Sequence, residues 1–254
     1  MSLDIDIVRN ARSRRMRLSV DAASGRVRLT LPPRASLKRA MAWADEQRGW
    51  IEAQRVRLPQ ARPFAPGAVI PVEGGDTLID WDEARSRTIT LVRHAGLDPA
   101  SMSHPSNEHT VSRTWTPDQV RGDDRLVCGG PLEGLPRRIE SWLKRRALAV
   151  LSDETAEYAA KAGVTITRVS VADAKARWGS CASSGAIRYN WRLICAPPHV
   201  RRATVAHEVA HRLHMNHSPA FYAALRELYG ADPAPARAWL RRHGAELHWL
   251  GRRS

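Results

Sequence analysis

Two histidines four residues apart, with a glutamate beside the first, sit in the stretch of this chain whose hydrophobic period leaves least choice of secondary structure. The pentapeptide is HEVAH, residues 207–211. Around it Val200, Ala203, Ala206, Val209, Ala210 and Leu213 recur at the spacing of an amphipathic helix, and Pro197-Pro198 supply its start. A helix sets residues i and i+4 one turn apart on one face, so both imidazoles can reach a single metal ion. Glu208 is angled away from that ion but within reach of a water beside it. Five residues of this pattern can also arise by chance in an Ala- and Glu-rich helix, so the surrounding chain has to decide.

A catalytic zinc site takes three protein ligands and keeps one position open for water. His214 and His217 compete for the third place. On a straight helix His207, His211 and His214 would spread over about 10 Å, too far for bonds of about 2 Å. His217 can return after a turn: Asn216 tolerates the left-handed conformation that ends a helix, and Ser218-Pro219 form an N-cap and first-turn proline for the next one. The expected ligands are therefore His207, His211 and His217, with Zn2+ as the cofactor and Glu208 as the catalytic base. The ten-residue span also occurs in the metzincin pattern, but His214 replaces the turn glycine and no later methionine follows Met215. The chain therefore does not meet the metzincin pattern.

The rest of the chain reads as α+β. Met16, Leu18 and Val20 alternate, as do Val27, Leu29 and Leu31, around Ala23-Ser24-Gly25, which predicts a β-hairpin. After Pro32-Pro33, Ser36 is an N-cap, and Leu37, Met41, Ala44 and Ile51 predict one helix of about 20 residues whose Trp43 and Trp50 pack on the sheet. Short alternating runs up to Thr88-Ile89-Thr90-Leu91-Val92 predict further strands. Arg125 to Cys128 is another strand. A long helix opens at Pro136, carries Ile139, Trp142, Leu143, Ala147, Val150, Leu151 and Tyr158, and ends at Gly163. Val164, Ile166, Val169 and Val171 predict a bulged strand, and residues 186–195 a longer one with Ile187, Tyr189, Trp191, Leu193 and Cys195 on one face. Residues 93–122 have almost no apolar period and are expected to be a disordered insertion. Its ends, HAGLDPAS and WTPDQVRGD, resemble translated copies of a palindromic repeat scattered in some bacterial genomes. The expected organisation is thus 8–92, β-rich with one helix, then the insertion, then 123–248.

Composition bounds the partners. Forty Lys plus Arg against 26 Asp plus Glu leave a formal charge of +14, nearly all of it from arginine. That excess permits a nucleic-acid partner. With 43% hydrophobic and 26% charged residues the chain is not disordered throughout. Three cysteines without C-x-x-C spacing argue against a disulfide framework. Together with an acidic start and no 18-residue apolar run, they lead to the expectation of a cytoplasmic protein outside the membrane.

The stretch RWGSCASSGAIRYNWRLICAPPHVRRATVAHEVAHRLHMNHSPAFYAAL, residues 177–225, resembles the signature of the YgjP-like metal-dependent hydrolases, a bacterial family related to SprT-like and WLM-domain metalloproteases. The matching features are WGSC, an N-W-R-L strand, HExxH and NHS followed by an aromatic. The N-terminal hairpin and helix, the helix with Trp142 and the tail Arg241-Arg242-His243-Gly244 extend the resemblance over about residues 8–248. Departures are the insertion and Tyr222, where tryptophan is common. The resemblance implies a zincin-like metallopeptidase core with an N-terminal antiparallel β-rich subdomain, the same three ligands, and Glu208 as base.

Three function classes follow. The first is a zinc-dependent peptidase in which the strand at 186–195 borders the cleft and aligns an extended peptide or protein substrate. The second keeps the metal and hydrolyses a nucleotide phosphoanhydride. The third is a basic nucleic-acid-associated binding module. For the first, Arg177, Asn190, Arg192 and Tyr222 are the substrate-side candidates, as donors to a developing oxyanion.

Overall fold

The computed structural model describes residues 4–93 and 124–252, so the expected insertion lies outside the described residues. Among the described residues there are three small sheets and six α-helices, and no helix is long and apolar enough to cross a membrane. The chain forms two compact units, Met1–Arg62 with Ala238–Ser254, and Pro63–Arg237.

In the first unit β2 (Arg17–Val20) and β3 (Val27–Leu31) make the expected antiparallel hairpin, with Leu18 opposite Leu29 and Val20 opposite Val27. The sheet is not antiparallel throughout. β1 (Ile5–Arg9) lies parallel to β3 on its other side, giving the order β1-β3-β2. Val27, Leu29 and Leu31 are fully buried, and Leu29 and Leu31 share a cluster with Ala40 and Ala44. The helix after the hairpin is two helices, α1 (Leu37–Glu46) and α2 (Arg48–Val56). Ser36 caps α1 by accepting from the Arg39 N–H, as its type predicts. Gln47 breaks the run: its ψ of 11° leaves the helical range, and Gly49 in the following turn lowers helix propensity. The break separates the fates of the two tryptophans, because Trp43 packs on the sheet cluster whereas Trp50 is 41% exposed. Near the C-terminus, Trp249 Nε1 donates to Ala22 O and Arg252 donates to the Ala23 and Ser24 carbonyls, while Gly251 N–H donates to Arg62 O at 2.7 Å.

In the second unit one sheet has the order β4-β5-β7-β6: β4 (Val69–Val72), β5 (Gly75–Trp81), β6 (Thr90–Val92) and β7 (Asp124–Cys128), with β5 and β7 parallel. The β4–β5 turn has φ of 52° at Glu73 and 95° at Gly74, the paired positive values that a two-residue hairpin turn of right-handed strands demands. This turn docks on the next layer. Glu73 N–H donates to Ile194 O at 2.8 Å, and a Cβ on Gly74 would lie 2.6 Å from Pro198 Cδ. The long helix α3 (Leu135–Ala162) buries Leu135, Ile139, Leu143, Ala147, Leu151 and Tyr158, and Gly163 at φ 64° ends it.

The third sheet has the order β8-β10-β9: β8 (Arg168–Ala172), β9 (Gly179–Cys181) and β10 (Ala186–Asn190). Two expectations change here. The strand expected from Val164 starts only at Arg168, because the Val164 N–H is used to close α3 by donating to Ala159 O. The strand expected over 186–195 stops at Asn190, whose Oδ1 accepts the Arg192 N–H and caps a 3₁₀ helix, Trp191–Cys195. All five residues of that 3₁₀ helix are buried, so their alternation in sequence does not describe two faces. α4 (Pro198–Ala210), α5 (Pro219–Tyr229) and α6 (Ala234–Trp249) complete the fold.

Candidate metal centre

α4 carries the HEVAH sequence in its last turn. Its hold on α3 is a buried ion pair: Arg201 Nε and Nη2 both donate to the Glu154 carboxylate, at 2.8–3.1 Å, with both side chains under 10% exposed. Arg202 reaches Glu157 on the same helix at 2.7 Å. A sequence reading sees only an arginine pair there.

His207 sits in the last turn of α4 and His211 at its C-cap, and the chain then tightens instead of continuing to Leu213. Leu213 and His214 N–H both donate to Ala210 O. Among the described residues no non-glycine other than Glu73 has positive φ, so the expected left-handed Asn216 is absent and the reversal is made by the turn at 211–216. Ser218 caps α5 as expected, accepting from Phe221 N–H.

The reversal carries His217 back. One ligand nitrogen from each of His207, His211 and His217 can be chosen so that all three lie within 4.8 Å of one another. His214 is not in this group, but its backbone oxygen lies 3.2 Å from His211 Nδ1. A carbonyl can only accept, so Nδ1 carries the proton and Nε2 is left with its lone pair. His207 Nε2 and His217 Nε2 are 3.2 Å apart. Two nitrogens at tetrahedral corners about 2.05 Å from an ion are separated by about 3.3 Å, so this pair has the spacing of two zinc ligands.

Phe221 is the floor of the site, fully buried with ring centroids 5.0, 4.6 and 4.8 Å from His207, His211 and His217. Sequence reasoning passed over it; its signal is its place in the first turn of α5, three residues after the Ser218 cap. Burial, with smaller contributions from His211, His217 and Arg237, pushes the His207 imidazole down to about 4, and burial also lowers that of His211. Both are neutral at pH 7, the form that binds metal.

Glu208 is 5% exposed, and burial pushes its carboxyl up to about 7, with Arg177 pulling it partly back. The room for this carboxylate comes from β9. A Cβ on Gly179 would lie 2.4 Å from Glu208 Oε1, so the glycine of WGSC is what lets the strand pass against Glu208. Cys181 in the same motif is a free thiol and not part of the imidazole group.

The four substrate-side candidates separate. Arg177 is exposed near Glu208, and Tyr222 is half-buried with its ring 6.2 Å from that of His217 and the Arg237 guanidinium 5.5 Å over it. Asn190 is 1% exposed with its amide committed, Nδ2 donating to Ala174 O at 2.8 Å while Oδ1 caps the 3₁₀ helix. Arg192 is 5% exposed, ion-paired to Asp173 and stacked 4.3 Å over the Trp191 ring. These two hold the 173–174 segment.

Residues 126–243 match the family model described as YgjP-like, metallopeptidase domain. The chain carries a YgjP-like metallopeptidase domain. No curated protein and no solved structure matches it. The match supports a metal-dependent hydrolase, and the imidazole group described above falls inside the matched residues.

Proposed function

We propose that the YgjP-like domain is a zinc-dependent peptidase with a zincin-like core, in which His207, His211 and His217 hold the ion and Glu208 is the general base. The observation that supports this furthest is the convergence of three imidazole nitrogens within 4.8 Å of one another, with the buried Glu208 next in sequence to His207. Bound there, zinc supplies Lewis acidity toward a carbonyl oxygen and lowers the pKa of water.

The chain's own groups do the rest. Glu208 takes the proton from the attacking water and returns it to the leaving amine. Gly179 keeps β9 from crowding that carboxylate. The His214 carbonyl fixes the His211 tautomer. Arg177, which acts on Glu208, and Tyr222, beside His217, are the candidate donors to the substrate oxygen, whereas Asn190 and Arg192 act as scaffold. β10 cannot take a peptide strand, since β8 and β9 flank it; β9 is the edge beside Glu208 and offers its outer backbone groups to an extended substrate.

The test couples metal analysis to casein hydrolysis. His217→Ala should lose zinc, while His214→Ala should retain it because the carbonyl on His211 belongs to the backbone. Glu208→Gln should keep zinc and lose about 10²- to 10⁴-fold of activity. Activity within a few-fold of the parent in that variant overturns the mechanism. A panel of nucleoside triphosphates run in parallel separates the peptide from the phosphoanhydride reading, since only the latter releases phosphate or pyrophosphate.

A further inference from the structure

We propose that the unit formed by residues 1–62 and 238–254 binds double-stranded nucleic acid through its phosphates. The charge of the chain is segregated. This unit holds 18 of the 40 basic residues and only 7 of the 26 acidic ones, so +11 of the +14 resides in less than a third of the chain. The other unit, with 22 against 19, is close to neutral.

The arginines are presented by ordered backbone. Between β1 and β2 the chain makes a turn in which Arg12 N–H donates to Asn10 Oδ1 at 2.9 Å, Ser13 N–H to Asn10 O at 3.0 Å, and Ser13 Oγ to Arg15 O at 2.8 Å. Asn10 N–H in turn donates to Leu31 O, tying the turn to β3. Arg12, Arg14 and Arg15 are exposed on this turn. Arg17 follows on β2 and Arg28 lies on β3, both exposed and both on the sheet face opposite the buried Val27, Leu29 and Leu31. On the same face are Thr30, opposite Arg17 in the register, and Ser19, opposite Arg28, hydroxyl groups of the kind that contact phosphate. Among the described residues none of these five arginines pairs with a carboxylate; the one acid on that face, Asp6, is engaged by Arg26 at 3.7 Å. A pinned turn spares the ordering entropy that a loose basic tail loses on binding.

The same face argues for a duplex. Asp6, Val8, Arg17, Ser19, Arg28 and Thr30 include no aromatic side chain, so it has no platform on which unpaired bases could stack. Guanidinium forks on a turn and a flat sheet face suit a double line of phosphates, read without regard to sequence.

The experiment uses the full chain and a labelled mixed-sequence duplex of about 24 base pairs, titrated between 50 and 200 mM KCl. Five phosphate contacts give a slope of log K against log salt of about −4.5, a loss of affinity of about 500-fold over that range. Replacing Arg12, Arg14 and Arg15 together by Gln should flatten the slope by about 2.7, and Arg28→Gln by about 0.9. Replacing the exposed Arg168, Arg188 and Arg226 of the other unit by Gln should leave it unchanged. Duplex should be held more tightly than a single strand of the same length. A slope no steeper than about −1, equal losses from the two triple variants, or tighter binding to phosphatidylglycerol vesicles than to duplex would each overturn the proposal, the last assigning the face to a membrane.

Discussion

Arginine does opposite work in the two units of this chain. In the unit carrying the imidazole group three arginines pair with carboxylates across segments distant in sequence, the buried Arg201 with Glu154, the buried Arg192 with Asp173, and the half-exposed Arg146 with Glu73. In the other unit Arg12, Arg14, Arg15, Arg17 and Arg28 stand in solvent without a carboxylate partner among the described residues. Net charge alone therefore says little. The same residue type is structural where a carboxylate is buried with it and available for a partner where none is.

The sharpest test of this contrast is to remove one member of each class. Glu154→Ala strands the Arg201 guanidinium under 10% exposed, and leaving a buried charge unpaired costs about 3–5 kcal/mol. Arg14→Gln should change stability by no more than about 0.5 kcal/mol. Chemical denaturation of the two variants measures both, and comparable losses would dissolve the distinction.

Two glycines extend the comparison at a smaller magnitude. Gly179→Ala puts a methyl against the Glu208 carboxylate and should lower hydrolysis by about 10²-fold, the scale of a 1 Å misplacement of a catalytic group, with zinc content unchanged. Gly49→Ala meets nothing within 4 Å and, in a helix, should raise the stability of the other unit by about 0.5–1 kcal/mol. Peptidase assays and thermal melts report the pair.

The smallest expected effect is electrostatic. The hydrogen bond from Arg202, then that from Lys161, outweighs partial burial and holds the Glu157 carboxyl at about 2. A folded pKa below the unfolded one contributes stability above pH 4.5 that is lost as pH falls toward 2. Because this carboxylate is 40% exposed, salt should screen the effect. Carboxyl NMR titration should find Glu157 near 2 at low salt and higher in 1 M KCl; an ordinary value at low salt would show that the pair does not persist.

The sequence made local signals legible and tertiary ones obscure. HEVAH, the Ser218 cap, Pro136 and Gly163 each act within a few residues of themselves, and helices form at each of them, α4 alone ending a few residues short of the expected Leu213. The end of β10 is different: residues 186–195 alternate without interruption, and the bend at Asn190 depends on an amide that also reaches Ala174, 16 residues away. The constraint on Gly179 is Glu208, 29 positions on, and leaves no local signal. The parallel pairing of β1 was hidden for the same reason, since its partner β3 lies beyond the hairpin strand that adjoins it in sequence.

The tie of Trp249, Gly251 and Arg252 to residues 22–24 and 62 sets an order of events during synthesis. Chains emerge N-terminus first at about 5–20 residues per second. The first unit is built from residues 1–62 and 238–254, with Pro63–Arg237 made in between. Its hairpin and arginine turn thus wait about 10–35 s for their C-terminal strap. The unit with the imidazole group, continuous in sequence, can close before the one that precedes it.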